Sequence, residues 1–186
     1  MTGSEPKKQR RAPPPVDRET LERAALRYLD RFDASVSRLR RVLQTHVRRA
    51  ARVHETDQVA ASEIIEALLG RYVASGLLSD RRYAENLVTG LRARGASQRQ
   101  IAHKLRVRGV AKDDVEAALT SRDARTGDAE LRAASELVRK KKLGPYRKPE
   151  ERQAHHRADL ARLARAGFDY ELARRVLGPG DDDDAF

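Results

Sequence analysis

Prolines mark the two ends of this chain and leave its middle alone. Pro6, Pro13, Pro14 and Pro15 precede Val16, Pro145, Pro149 and Pro179 follow Gly144, and none lies between. That long interval is rich in Ala, Leu, Arg and Glu. A proline inside a helix removes a backbone donor and clashes with the preceding turn, so its absence over such a length favours helix after helix. Glycine supplies the punctuation instead. Gly76, Gly95, Gly109, Gly127, Gly144, Gly167 and Gly178 follow apolar-periodic stretches, where a left-handed cap needs a residue without Cβ. Ser79, Ser97, Asp113 and Asp169 stand near the next beginnings as N-caps. The spacing predicts about nine helices: 19–31, 35–52, 59–75, 79–94, 97–108, 112–121, 128–142, 150–166 and 169–177.

These helices repeat. Lys104-Leu105, Gly109-Val110 and Leu119 line up with Arg162-Leu163, Gly167-Phe168 and Leu177. A looser copy sets Ser35, Leu39 and Leu43 against Ser97, Ile101 and Leu105, with Val47 where the glycine belongs. The fold class is therefore all-α, with three tandem three-helix repeats at 19–76, 77–122 and 123–178. Units that small bury little alone and pack against their neighbours. Aromatic residues are only 4% of the chain, with no Trp, which suits several small cores better than one large one. Residues 1–18, with Lys7, Lys8, Arg10, Arg11 and the proline run, read as a disordered basic arm. Residues 179–186, with Asp181–Asp184, read as a disordered acidic tail.

Composition removes several function classes. With no Cys among 186 residues there is no disulfide scaffold, thiolate metal site or Cys nucleophile. The apolar runs are too short to span a membrane, and the charged N-terminus lacks a secretory apolar run, so a cytoplasmic protein without a membrane partner is expected. No phosphate-binding glycine loop occurs, and His54-Glu55 lacks the second histidine of a zinc helix because position 58 is Gln. His155 and His156 are adjacent and point to different helix faces. Carboxylates interleave with Arg as local ion pairs. The expectation is a non-enzyme without cofactor or metal.

The charge points to an anionic partner. The formal net charge is +11, from 39 Lys+Arg against 28 Asp+Glu. On the helix at 35–52, Val36, Leu39, Leu43, Val47 and Ala50 share an arc roughly 80° wide at about 100° per residue. Arg38, Arg41, Arg48, Arg49 and Arg52 fall on the opposite side, and no acidic residue occurs between Ala34 and His54. Like charges at such spacing repel by a few tenths of a kcal/mol per pair, which favours a binding role over an idle solvated face. From Arg81 to Lys112 the only acid is Glu85; Arg92, Arg94, Arg99 and Arg106 point away from the expected core. A third cluster, Arg139 to Lys142 with Lys140 and Lys141, either caps its helix or binds. Arginine suits phosphates and acidic protein grooves alike. Tyr28, Tyr72, Tyr83 and Tyr170 sit at core-like spacing, so base-stacking platforms for single strands are not expected.

Four motifs in order resemble the RecX family of recombinase regulators. They are Ala25-Leu26-Arg27-Tyr28-Leu29 with Ser35 and Leu39; Gly76-Leu77-Leu78-Ser79-Asp80-Arg81-Arg82-Tyr83-Ala84; Gly95-Ala96-Ser97 through Arg108-Gly109-Val110 to Ala118-Leu119; and Leu160 through Leu163, Gly167-Phe168-Asp169-Tyr170 to Val176-Leu177. The resemblance covers about 20–178 and departs from the family at Arg48-Arg49-Ala50, where a glycine is common. It implies an elongated, curved helical array that binds the RecA filament on DNA. It also implies that the protein restrains ATP hydrolysis and strand exchange in recombination, DNA repair and the SOS response. A monomer acting without chemistry of its own is expected, contacting DNA directly or through the filament. The alternative is a stand-alone nucleic-acid-binding helical protein.

Overall fold

The computed structural model describes residues 12–126 and 128–179. The charged part of the arm, the cap expected at Gly127 and the acidic tail from 180 onward lie outside the described residues. Among the described residues the regular structure is all helical. The elements are α1 (Arg18–Leu29), α2 (Val36–Ala50), α3 (Gln58–Ala74), α4 (Asp80–Arg92), α5 (Gln98–Val107), α6 (Lys112–Thr126), α7 (Ala129–Lys141), a 3-10 turn (Gly144–Tyr146), α8 (Pro149–Arg165) and α9 (Tyr170–Leu177). The chain divides into two compact units between Leu78 and Ser79.

The first unit wraps α1, α2 and α3 around one apolar cluster in which Leu21, Leu39, Leu43, Ile65, Leu68 and Tyr72 are buried. Ser35 begins α2 by accepting a hydrogen bond from the Arg38 backbone N–H at 3.1 Å. Where Gly109 follows α5, the matching position is Val47 inside α2, which is buried, and the helix runs on to Ala50. Residues 12–17 do not hang loose as the sequence suggests. The His54 ring donates from Nε2 to the Pro13 carbonyl oxygen at 2.8 Å, and the Thr20 hydroxyl donates to that of Pro15 at 3.0 Å. Val16 packs on the core, and Asp17 and Thr20 cap α1 reciprocally. Once a proline run is stiffened into an extended rod, these few contacts suffice to hold it.

The second unit carries two apolar clusters. Leu91, Ile101, Leu105, Val110, Val115 and Leu119 sit at the centre of the one built from α4, α5 and α6. Ala134, Val138, Leu143, Leu163, Phe168 and Leu177 sit at the centre of the one built from α7, α8 and α9. The sequence repeat becomes the same helix ending twice. The Val110 N–H bonds the Leu105 carbonyl at 3.1 Å, and the Phe168 N–H bonds that of Leu163 at 3.2 Å. Between them Gly109 and Gly167 take φ of 76° and 86°, the left-handed step this cap requires. Ser79, Ser97 and Asp169 cap α4, α5 and α9 as expected, accepting from the backbones of Arg82, Gln100 and Leu172.

Several sequence expectations need correction. Asp113 lies within the first turn of α6, where its charge complements the positive helix end, and is not the N-cap. α6 continues to Thr126, so the repeat boundary expected at 122/123 falls inside a helix. Nothing between Ser121 and Thr126 forbids helix, and the extension carries Asp123 to Arg92 at 2.7 Å. α7 is closed by Lys142 at φ 51°, not by Gly144; the Leu143 N–H reaches the Val138 carbonyl at 2.9 Å across it. Tyr170 is 57% exposed under the Arg174 guanidinium instead of packing inside, whereas Tyr72 and Tyr83 are buried.

Two predictions follow from these ends. Lys142 holds a conformation that disfavours side chains, so Lys142→Gly should stabilise the protein by about 0.5–1 kcal/mol in urea unfolding. Asp159 is 2% exposed and accepts both arms of the Arg147 fork at 2.8 Å and the Gly144 N–H at 3.0 Å. Burial alone would raise this carboxyl, but the Arg147 fork and the Gly144 N–H outweigh it and hold it below the usual carboxylate range. With the folded-state value below the unfolded one, its stabilisation is complete above about pH 4 and lost as pH falls below that. Asp159→Asn should therefore cost about 3 kcal/mol at neutral pH, and the gap to wild type should narrow at pH values under about 4.

Candidate nucleic-acid interface

α2 is the most basic element of the first unit. Its buried side is Leu39, Leu43, Val47 and Ala50, and none of its fifteen residues is acidic. Because Val47 lets the helix continue past the point where α5 stops, Arg48 and Arg49 extend the outer face by another turn. Arg52 stands just beyond, in the turn that follows. Arg38, Arg41, Arg48 and Arg49 line a shallow concavity of about 410 Å³ with Val42, Thr45 and His46. The Thr45 hydroxyl donates to the Arg41 carbonyl at 2.8 Å and accepts from Arg48 at 3.2 Å. Arg38 donates to the Tyr28 hydroxyl at 3.1 Å and Arg41 to the Ser37 carbonyl at 3.3 Å. Burial, with Arg49 and Arg27 nearby, holds the His46 imidazole below its ordinary range. Arg40 meets a carboxylate across the unit, forking onto Glu66 at 2.6 and 2.8 Å. Neutral oxygens thus orient Arg38, Arg41 and Arg48 and fix their stems, gathering guanidinium groups along one face as an anion site requires.

In the second unit the expected contact residues separate. Arg92 was expected to project outward; it is buried at 8% exposure. Its guanidinium pairs with Asp123 at 2.7 Å and with Glu130, and donates to the Ala96 carbonyl at 3.3 Å. Its position at the end of α4 faces α6 and the start of α7, so it joins helices and cannot meet a partner. Arg94 is exposed and folds back onto the Gly90 carbonyl at 2.8 Å. Arg99 and Arg106 are exposed on α5, and Arg106 donates to the Ala102 carbonyl at 3.3 Å. Lys140 bonds the Ala93 carbonyl at 3.1 Å and Glu136 at 3.0 Å. The carbonyl it satisfies at a helix end thus belongs to α4 and not to its own α7. Hydrogen bonds from Arg139 and Lys140 hold the Glu136 carboxyl down to about 2. Lys141 is exposed.

One basic residue was missed. Arg165, in the last turn of α8, lines a cleft of about 340 Å³ with Arg99, Gln100, His103, Ala164 and Gly167. The repeat gives no hint of it, because its counterpart in α5 is the apolar Val107. The contact that brings it there is the Ser97 hydroxyl donating to the Ala166 carbonyl at 2.6 Å. Among the described residues no helix is long and apolar enough to cross a membrane, and no three His, Asp or Glu side chains are grouped to hold a metal.

The profile of the second three-helix domain of RecX matches residues 79–119, which hold α4, α5 and the first half of α6. The Regulatory protein RecX of Myxococcus xanthus is 42% identical over 178 residues, spanning 94% of this chain and 94% of that relative. The chain belongs to the RecX family. RecX proteins of Chromohalobacter salexigens and Halorhodospira halophila are 36% and 31% identical, over 82% and 89% of this chain and 88% and 91% of theirs. No solved structure matches the chain. In this RecX-family protein the profile match contains both the buried Arg92 and the exposed Arg99 and Arg106.

The two neighbouring arginines at the end of α4 should behave differently. Arg92→Leu leaves two acids facing an apolar site and should lower the stability of the second unit by about 2–3 kcal/mol in chemical denaturation. Arg94→Leu should change it by less than about 0.5 kcal/mol.

Proposed function

We propose that this chain binds the RecA recombinase filament assembled on DNA and restrains it, mainly by inhibiting ATP hydrolysis and strand exchange in recombination and DNA repair. The observation that carries this reading is the end-to-end similarity to proteins named RecX regulatory proteins, with 94% of both chains covered in the Myxococcus xanthus match. The arginine face of α2 supports it by offering an anion-seeking surface with no acid of its own. Three three-helix groups, α1–α3, α4–α6 and α7–α9, offer several weak sites on a single monomer. Linked sites gain affinity through effective concentration, so a filament of repeating protomers is a fitting partner.

Restraint needs no chemistry from this chain. A ligand slows a cycling enzyme when it binds one conformation of the cycle better than the next, and about 1.4 kcal/mol of preference gives a tenfold shift. Contacts spread over neighbouring protomers supply that preference if the spacing between protomers changes during the cycle. Arg38, Arg41, Arg48, Arg49 and Arg52 on the first unit are the assigned contact residues, with Arg94, Arg99, Arg106 and Lys141 on the second.

The test is DNA-dependent ATP hydrolysis by the recombinase with this chain present below stoichiometry. Wild type should inhibit, and Arg48→Glu with Arg52→Glu should weaken inhibition about tenfold or more while the circular dichroism spectrum stays helical. Full inhibition by the double variant would remove α2 from the interface, and no inhibition by wild type would remove the proposal.

A further inference from the structure

α5 carries a basic stripe that its own helix does not explain. Arg99, His103 and Arg106 are spaced four and three residues apart, all exposed, and so stand above one another on one face. The stripe is about 10 Å long at a rise of 1.5 Å per residue, and α5 contains no acidic residue. At its N-terminal end α8 delivers Arg165 into the same cleft as Arg99. Among the described residues no carboxylate lines that cleft.

Two guanidinium groups at one cleft repel each other, and the junction beneath them holds them in place. The Ser97 hydroxyl grips the Ala166 carbonyl at 2.6 Å. Gly167 approaches so closely that a Cβ there would lie 2.8 Å from the Ser97 Oγ and 3.2 Å from the Arg99 Cβ. Ser97 is fully buried. The cleft is therefore a fixed feature of the second unit, preorganised for negative charge.

Its lining selects the kind of anion. Ala164 is the one apolar side chain there among the described residues, so the aromatic or aliphatic anchor that a protein partner inserts has no pocket to fill. Gln100, His103 and the two arginines are hydrogen-bond donors that suit phosphate oxygens. A line of such donors along a helix fits a chain of phosphates better than a single small ion. With no Phe, Tyr or Trp among the described residues of the cleft to stack on bases, the regular backbone of a duplex is the better match than a splayed single strand.

We infer that the cleft between α5 and α8 binds the phosphodiester backbone of duplex DNA directly, with Arg99 and Arg165 on one phosphate and His103 and Arg106 following the strand. This deepens the proposed function by naming a DNA contact, and it can be tested without any recombinase. The full chain is titrated against a short fluorescent duplex by anisotropy across a salt series. Arg165→Glu should weaken binding about tenfold and flatten the log–log salt slope by about one unit. Arg157→Glu makes the same charge change two turns earlier on α8 and should weaken binding less than about twofold. Equal losses in the two variants would show a net-charge effect and overturn the site.

Arg99→Gln and Arg165→Gln, separately and together, test the shared phosphate. The double loss should be smaller than the product of the single losses, and a simple product would overturn the assignment. Polyglutamate that displaces the duplex as well as unlabelled DNA of equal charge does would assign the cleft to acidic protein instead. Helical circular dichroism of each variant guards against misfolding. Failure here leaves recombinase inhibition intact as a separate result, and loss of inhibition leaves the duplex titration readable.

Discussion

A single serine hydroxyl joins the two halves of the second unit. Ser97 accepts from the Gln100 N–H at 3.2 Å, which starts α5, and donates to the Ala166 carbonyl at 2.6 Å, which finishes α8. Two orphan groups at two helix ends are thus satisfied by one buried atom. The neighbouring contacts depend on the same close approach. Gly95 lies against the α7 backbone so tightly that a Cβ would stand 2.8 Å from the Leu137 nitrogen. The Glu130 carboxylate receives the Gln98 N–H at 3.1 Å and also holds Arg92. Polar side chains and backbone, in place of large apolar side chains, make this junction.

That choice explains the scarcity of aromatic residues. Each apolar cluster is built chiefly from Leu, Ile, Val and Ala, with an occasional ring such as Tyr72, Tyr83 or Phe168. A three-helix group has no wide interior to fill, so alanine at close helix crossings and leucine at the centre are enough. Helix ends then take a larger share of the stabilisation, which is why capping serines, left-handed glycines and the Asp159–Arg147 pair recur at the corners.

Much of this was legible in the chain. The helices, their order and the caps at Ser79, Ser97 and Asp169 came from local signals, because capping is decided within a few residues. The matching ends at Leu105–Val110 and Leu163–Phe168 came from the repeat. What escaped depends on contacts between distant residues. Arg92 looks like any outward arginine until α6 runs on to bring Asp123, and no local stop signal was present to say that it would. Arg165 sits at a position whose repeat counterpart is Val107, so periodicity argued against it. Lys142 shows that tertiary packing can impose a left-handed residue where glycine is the local expectation.

Taken together, the basic surfaces differ in kind. The α2 face is a linear array that exists because Val47 replaces a terminating glycine, and the α5–α8 cleft is a point of convergence created by the Ser97 junction. The proposed regulation of a nucleoprotein filament would use both, one toward its protein or its strand and one toward duplex DNA. The central claim is that the composite of recombinase and DNA is the ligand. The most direct measurement is the affinity of the full chain for recombinase-coated single-stranded DNA, compared with bare DNA and with free recombinase at the same salt. The account predicts binding to the coated strand at least about tenfold tighter than to either component, as linked sites require. Equal or tighter binding to bare DNA would contradict it.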